Sequence, residues 1–415
     1  MLKLYTINIC ILFFTYTILT ALTTVSNVNA LIFFFTNIIV DNVSIILIIT
    51  TVTTTLLCIS IVDNKYFLKN NFLILIFPAF ILFIVCLVYS SNIFSFFLFY
   101  ELLLVPSYFL VLKTSPNRRS VQVANYFLLW TQMGSFLVLL GLCFYYKFNQ
   151  NNTFMHYQNK YNLIIQILIF LGFGVKVPLW PFHFWLSKTH VEANTGFSIF
   201  LSGILVKAAV FGLYKFIYIF NNNVWLFLTI TLISMVDASI KMCAQNDLKK
   251  LVAFSTIQEM ALMTFLLLIP SFKNNNVLFI FIVFHTFLSG LFFWIVDCVY
   301  RRYNTRVVYN IKNLSNLTPN FSALIITSVY IFLGLPFTIK FSIELYILKV
   351  MYNFNLFVAV VIGFVINYIA AVVFFKTFIF INFGTNHILK ITDLTKKEII
   401  LFLLFLTPII FLNFI

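Results

Sequence analysis

The chain has 415 residues, 62% of them hydrophobic and 9% charged, and a mean hydropathy of +1.05. That balance excludes a water-soluble globular domain and points to a polytopic helical membrane protein. The formal net charge of +15 reads as loop lysines and arginines that set topology rather than as a nucleic-acid surface.

At about 20 residues per spanning helix, apolar runs predict helices near 5–24, 43–62, 72–90, 93–112, 123–146, 162–184, 195–220, 223–245, 250–270, 276–298, 318–338, 340–353, 356–381 and 398–414. The first is read as a spanning helix rather than a removed signal, because no small-residue cleavage site follows it. The stretch 30–40 is too short to span. Polar loops fall at 63–71, 113–122, 147–161, 299–317 and 384–397. Basic loop residues concentrate on one face, with Arg118, Arg119, Lys249, Lys250, Arg301 and Arg302 among them, while Lys147, Lys160 and Lys273 fall on the other. The richer face is expected on the negative side, in the matrix or cytoplasm. Abundant Phe (55 residues) and scarce Gly (11 residues) suggest AT-biased codons, as in an organelle genome.

Two helices are interrupted by glycine and proline. GFGVKVPLWP (Gly172 to Pro181) carries Lys176, and FLGLPFTIKFSIE places Gly334 and Pro336 before Glu344. A broken helix is tolerated at membrane depth only inside protein or beside water. Paired broken helices in two halves are a mark of inverted-repeat transporters, which build ion sites at such breaks.

Only 11 acidic residues exist, so each one in an apolar helix is informative. Glu101 lies about eight residues into its helix, roughly 12 Å deep. Lys207 is mid-helix, too central to snorkel, whereas Lys215 is placed to do so. Glu259 and His285 sit in the next helices, and Glu344 follows the second break. Each has a plainer alternative: a carboxyl satisfied by a hydroxyl, a core histidine, or, for Lys340 and Glu344, an ordinary i,i+4 pair near an interface. Asp237 and Lys241 are read as such a helix-end pair. Taken together, Glu101, Lys176, Lys207, Glu259, His285 and Glu344 form a series of titratable groups across hydrophobic helices, which a proton path requires. Burial disfavours the charged form of a lysine and a nearby carboxylate restores it, so moving the partner changes proton affinity.

Cys10, Cys58, Cys86, Cys143, Cys243 and Cys298 are isolated, with no CxxC and no nucleotide-binding glycine motif. Metal, iron–sulfur and nucleotide sites are therefore not expected.

Several motifs resemble one family in order. GFGVKVPLWPFHFWLSKTHVEANTGFS resembles the VKxPL…WLPKAHVEAP signature of the antiporter-like subunits of NADH:ubiquinone oxidoreductase (respiratory complex I). NDLKKLVAFSTIQEM is similar to TDLKxLIAYSSISHM, YELLLVPSYFLV to FEXXLxPxxxL, LPFTIKFSIEL to LPPTxNxxGEL, and VFHTFLSGLFFWIVDCVYRRYNTR to AHG…YERxHSR. The likeness covers about residues 95–350, and the ends match only in hydropathy.

The resemblance implies an all-α polytopic membrane fold of about 13–14 transmembrane helices, with inverted repeats and two broken helices. The expected parts are N-terminal helices over 1–92, a first antiporter-like repeat with a proton half-channel over 93–245, a second over 246–383, and a C-terminal loop and helix over 384–415. It further implies that Glu101 and Lys176 form the first ion pair, Lys207 carries the proton centrally, His285 belongs to the relay and Glu344 is terminal. His183 is expected beside the first break. Glu259 stands where the family has histidine, and Ser187 and Asn194 where it has proline. The N-terminal part looks shorter than in larger relatives by roughly one helix. No cofactor is expected on this chain; FMN, iron–sulfur clusters and ubiquinone are expected on partner subunits. The implied partners are other membrane subunits, especially the neighbouring antiporter-like subunits 2 and 5, and lipids. The implied setting is the mitochondrial inner membrane. The alternatives are a subunit of a multisubunit cation/proton antiporter, which shares this fold, and a spacer with a vestigial channel.

Overall fold

The computed structural model describes residues 42–61, 73–114, 118–149, 163–220, 224–269, 276–383 and 392–412. The expected helix 5–24 and the stretch 30–40 lie outside the described residues. Among the described residues the chain is helical throughout, with no strand and one isolated bridge between Asp247 and Val307. Eight described helices are long and apolar enough to cross a membrane, and shorter apolar helices accompany them at Leu75–Tyr89, Leu163–Lys176 and Pro319–Phe332. This is the all-α polytopic membrane class expected from the composition.

The chain divides into two compact units, Met1–Thr229 and Ile230–Ile415. The first holds α1 (Asn42–Ile61), α2 (Leu73–Tyr89), α3 (Ile93–Leu102), α4 (Leu104–Thr114), α5 (Arg118–Asn149), α6 (Leu163–Lys176), α7 (Phe184–Glu192) and α8 (Thr195–Lys215). Helix α9 (Val224–Cys243) runs through the boundary. The second unit holds α10 (Leu248–Leu268), α11 (Asn276–Tyr303), α12 (Pro319–Phe332), α13 (Ile339–Phe354), α14 (Tyr368–Asn382) and α15 (Lys396–Phe411). A π-helical segment, Val361–Asn367, leads into α14, and another, Leu201–Leu205, lies inside α8.

Prolines explain where expected helices stop. The run 93–112 is interrupted at Leu103 because Pro106 has no N–H for the carbonyl four residues earlier. The run 162–184 ends at Lys176, and Pro178 leaves the Gly174 carbonyl without its helical donor. The Leu179 N–H takes it instead at 2.8 Å. The run 318–338 ends at Phe332 with Pro336 four residues on.

Helices α5 and α6 pack through facing glycines, the small-residue contact that lets membrane helices approach closely. A Cβ on Gly172 would lie 2.6 Å from Val138 Cγ2, 2.7 Å from its backbone nitrogen and 2.8 Å from the Gly134 carbonyl oxygen. Two of those neighbours are backbone and cannot step aside. Gly172→Ala is therefore expected to push α6 off α5 and cost about 1–3 kcal/mol. A fall in the thermal stability of the isolated membrane assembly checks it, and an unchanged melting curve would remove the packing argument.

In the second unit, Phe292, Phe332, Phe374 and Phe378 pack together, with the Phe332 and Phe374 rings stacked at 4.0 Å. This fixes the end of α12 where the helix breaks. The C-terminal helix is pinned to α11 by Arg302, whose guanidinium donates to Glu398 Oε2 at 2.8 Å. Asp393 accepts from the Asn320 and Phe321 N–H groups at the start of α12, at 3.1 and 3.2 Å. It thereby satisfies donors that a helix N-terminus leaves open.

Candidate functional site

The first unit places Glu101 on α3 and Lys176 at the last residue of α6. Lys176 Nζ lies 3.4 Å from Glu101 Oε1, so the pair implied by the family resemblance is in contact. The same ammonium sits 3.5 Å above the centroid of the Tyr100 ring, a cation–π contact strengthened by burial. Tyr100 is held by Phe96 and Phe173, with ring centroids at 6.0 and 5.3 Å. Lys176 is 7% exposed, while the Glu101 side chain keeps 22%. The break itself is chemically managed. Phe173 O accepts from Val177 N–H, and Val175 O accepts from the Trp185 indole at 2.8 Å. Lys176 stands in the last turn of α6, where the partial negative charge of a helix C-terminus favours a cation. A cavity of about 20 Å³ lined by Tyr100, Thr131, Lys176 and Trp185, among others, has room for one water-sized particle.

His183 lies in the turn after the break, buried against Phe184 with ring centroids 4.4 Å apart. The position where the family has proline before α8 is filled by Asn194, whose side chain accepts from Gly196 N–H as an N-cap. Asparagine thus starts the helix by hydrogen bonding where proline would fix the backbone angle.

Lys207 is 2% exposed on α8, two residues past the π-helical segment. Its ammonium donates to the Ser202 carbonyl oxygen. π-Turns inside α-helices are common at functional sites because they displace backbone carbonyls from the regular ladder. A small cavity beside Lys207 is lined by Thr50 and Thr51 of α1. Lys215 is half-buried over the Phe211 ring.

The second unit gathers four groups. Glu259, on the buried helix α10, has its Oε2 3.4 Å from His285 Nε2 and its Oε1 3.3 Å from Lys340 Nζ. Lys340 Nζ is also 3.7 Å from Glu344 Oε1 and donates to Phe332 O at 2.6 Å. That carbonyl is the one Pro336 cannot pair, so the helix break supplies the lysine's anchor. The ring of Phe332 lies 4.0 Å below the same ammonium. The i,i+4 pair of Lys340 and Glu344 therefore exists, but its lysine is 8% exposed and reaches a second carboxylate. Sequence reasoning left Lys340 out of the series. Its place after a Gly–Pro break was the available signal. The helix-end pair of Asp237 and Lys241 is present at 2.6 Å.

Gly334 sets the geometry of this cluster. Its φ is +64°, and a Cβ there would lie 2.9 Å from Glu344 Oε2. Gly334→Ala is expected to cost about 1–2 kcal/mol in backbone strain and to displace the Glu344 carboxylate. Reduced assembled subunit, measured on a native gel, checks the first effect. A wild-type melting profile would contradict it.

The comparisons agree with this architecture. The family described as NADH:quinone oxidoreductase/Mrp antiporter, TM, matches residues 90–370. The NADH-ubiquinone oxidoreductase chain 4 of Paramecium tetraurelia is 35% identical over 371 residues, covering 86% of this chain and 77% of its own. The protein of that name from Acanthamoeba castellanii is 29% identical, covering 88% and 76%. A chain of respiratory complex I from Thermus thermophilus superposes with a TM-score of 0.79 at 20% identity, over 90% of this chain and 81% of that one. A chain of the Mrp complex from Dietzia sp. DQ12-45-1b gives a TM-score of 0.75 at 16% identity, over 83% and 67%. The chain thus belongs to the NADH:quinone oxidoreductase/Mrp antiporter family of membrane subunits, on its complex I chain 4 side.

Proposed function

We propose that this chain is a proton-translocating core membrane subunit of respiratory complex I. It couples NADH oxidation and ubiquinone reduction, carried out on other subunits, to proton movement through buried Glu, Lys and His side chains. The observation that carries the reading is Lys207, a buried titratable group in an apolar helix whose ladder is locally opened at Leu201–Leu205. A charge so placed is costly and marks an ion or proton path. Glu101 and Lys176 make the entry pair and Lys207 the central carrier. His285 and Glu259 relay the proton, and Glu344 is the terminal group.

The chain is thereby part of an NADH:ubiquinone reductase without redox catalysis of its own. FMN, iron–sulfur clusters and ubiquinone belong to partner subunits. The neighbours are the other antiporter-like chains, subunits 2 and 5, in the mitochondrial inner membrane, and the gene lies in the organelle genome. The test is a native gel of the source membranes, stained for NADH oxidation and probed by mass spectrometry. Peptides of this chain in a large NADH-oxidising band are the expected result. Peptides only in a smaller inactive band would favour the cation/proton antiporter.

A further inference from the structure

Glu259 and Lys340 are 81 residues apart on α10 and α13, yet each is buried and each is the other's counter-ion at 3.3 Å. In the motifs this chain resembles, histidine occupies the position of Glu259 and asparagine that of Lys340. The two departures from the motifs therefore meet in space. One carries a negative charge and the other a positive one, so neither has to stand alone among apolar helices.

The distances add a second feature. Lys340 Nζ is 3.3 Å from Glu259 and 3.7 Å from Glu344, both longer than the roughly 2.7–2.9 Å of a closed charge-assisted hydrogen bond. Its short contact is to the Phe332 carbonyl. The ammonium is thus anchored on the broken helix and shared between two carboxylates. Glu259 spends its other oxygen on His285.

We infer that Glu259 and Lys340 act as one unit, a counter-ion switch in which the Lys340 ammonium alternates between Glu259 and Glu344 as protons pass. The inference rests on the proton-translocating reading above. A proton arriving on Glu344 turns its carboxylate into a neutral acid and ends its attraction for the ammonium. Lys340 then closes on Glu259, which weakens that carboxylate's hold on His285. Loss of the proton from Glu344 toward the exit restores the shared position. Lys340 keeps its own proton throughout, and no other bond forms or breaks. Lys340 is therefore a positioning residue that sets the proton affinity of the groups around it.

The experiment is a double-mutant cycle in the whole complex, in sealed membrane vesicles: wild type, Glu259→His, Lys340→Asn and both together. Assembled complex is measured on native gels, and protons moved are counted per NADH oxidised. Each single variant is expected to lower that ratio, and the double to recover most of it, with a coupling of about fivefold or more between the positions. Effects that simply multiply in the double would overturn the switch. Should the single variants assemble poorly, the cycle is read on assembled amount: recovery in the double supports the pairing and continued failure overturns it. Lys340→Arg keeps the charge but not the compact ammonium, and is expected to assemble while its proton ratio falls; an unchanged ratio would sink the switch. Wild-type vesicles that oxidise NADH without moving protons would remove the translocation reading itself, which the cycle on a pumping wild type leaves standing.

Discussion

Lys207→Ala is expected to lower proton translocation by about 100-fold or more, the scale of losing a positioned acid–base group, while the complex still assembles. Lys207 is the one Lys, Arg, His, Asp or Glu in α8 between Thr195 and Leu213, a stretch buried throughout apart from Leu205. No neighbour on the same helix can take over. Alanine is the best helix former, so the backbone of α8 is not weakened locally. The alkyl stem does fill space, and its removal leaves a void beside Thr50 and Thr51. Lys207→Met keeps the stem and deletes only the ammonium, and it should fail to translocate to the same degree. Lys207→Arg is the sharper comparison. It keeps the charge, but guanidinium does not deprotonate in proteins. If Lys207 acts by titrating, arginine fails as alanine does. If arginine or alanine vesicles acidify at the wild-type rate, the residue is a packed cation and the spacer reading gains ground.

The membrane fold and half of the site were legible because hydrocarbon leaves few choices. An apolar run of the right length must be a helix, and a charge inside it must have a partner. Which partner it has is not fixed by that rule: the pairing of Glu101 with Lys176, 75 residues apart, came from the family resemblance, and the two are found in contact. The prolines at 178 and 336 likewise announced two breaks, although the runs around them read as longer helices than they are. Three features were not legible. The π-helical segment before Lys207 leaves no composition signal, since LSGIL reads as ordinary apolar helix. Lys340 looked like a surface partner of Glu344 because i,i+4 spacing says nothing about which helix covers the pair. Only the tertiary packing of α10 against the second break brings Glu259 to it. The reading of Glu259 as a departure from the family pattern was therefore half of a pattern whose other half lay in a different motif.

Glu101→Ala is expected to carry the second large effect, with a structural and a functional part that can be separated. It leaves the Lys176 ammonium buried with the Tyr100 ring as its remaining described partner. Removing one member of a buried ion pair costs about 3–5 kcal/mol. Here the lower end applies, because the Glu101 side chain is 22% exposed and was partly hydrated already. Less assembled complex on native gels and a loss of translocation on the order of tenfold or more are therefore expected together. The combination Glu101→Gln with Lys176→Met removes both charges while keeping volume, and it should restore assembly, because replacing a buried pair by neutral groups of similar size is often harmless to stability. Translocation should not return with it. A double variant that assembles and pumps like wild type would make the pair a packing device. A double that assembles and stays inactive ties proton entry to the two charges, since the fold is then intact and only the titratable groups are gone.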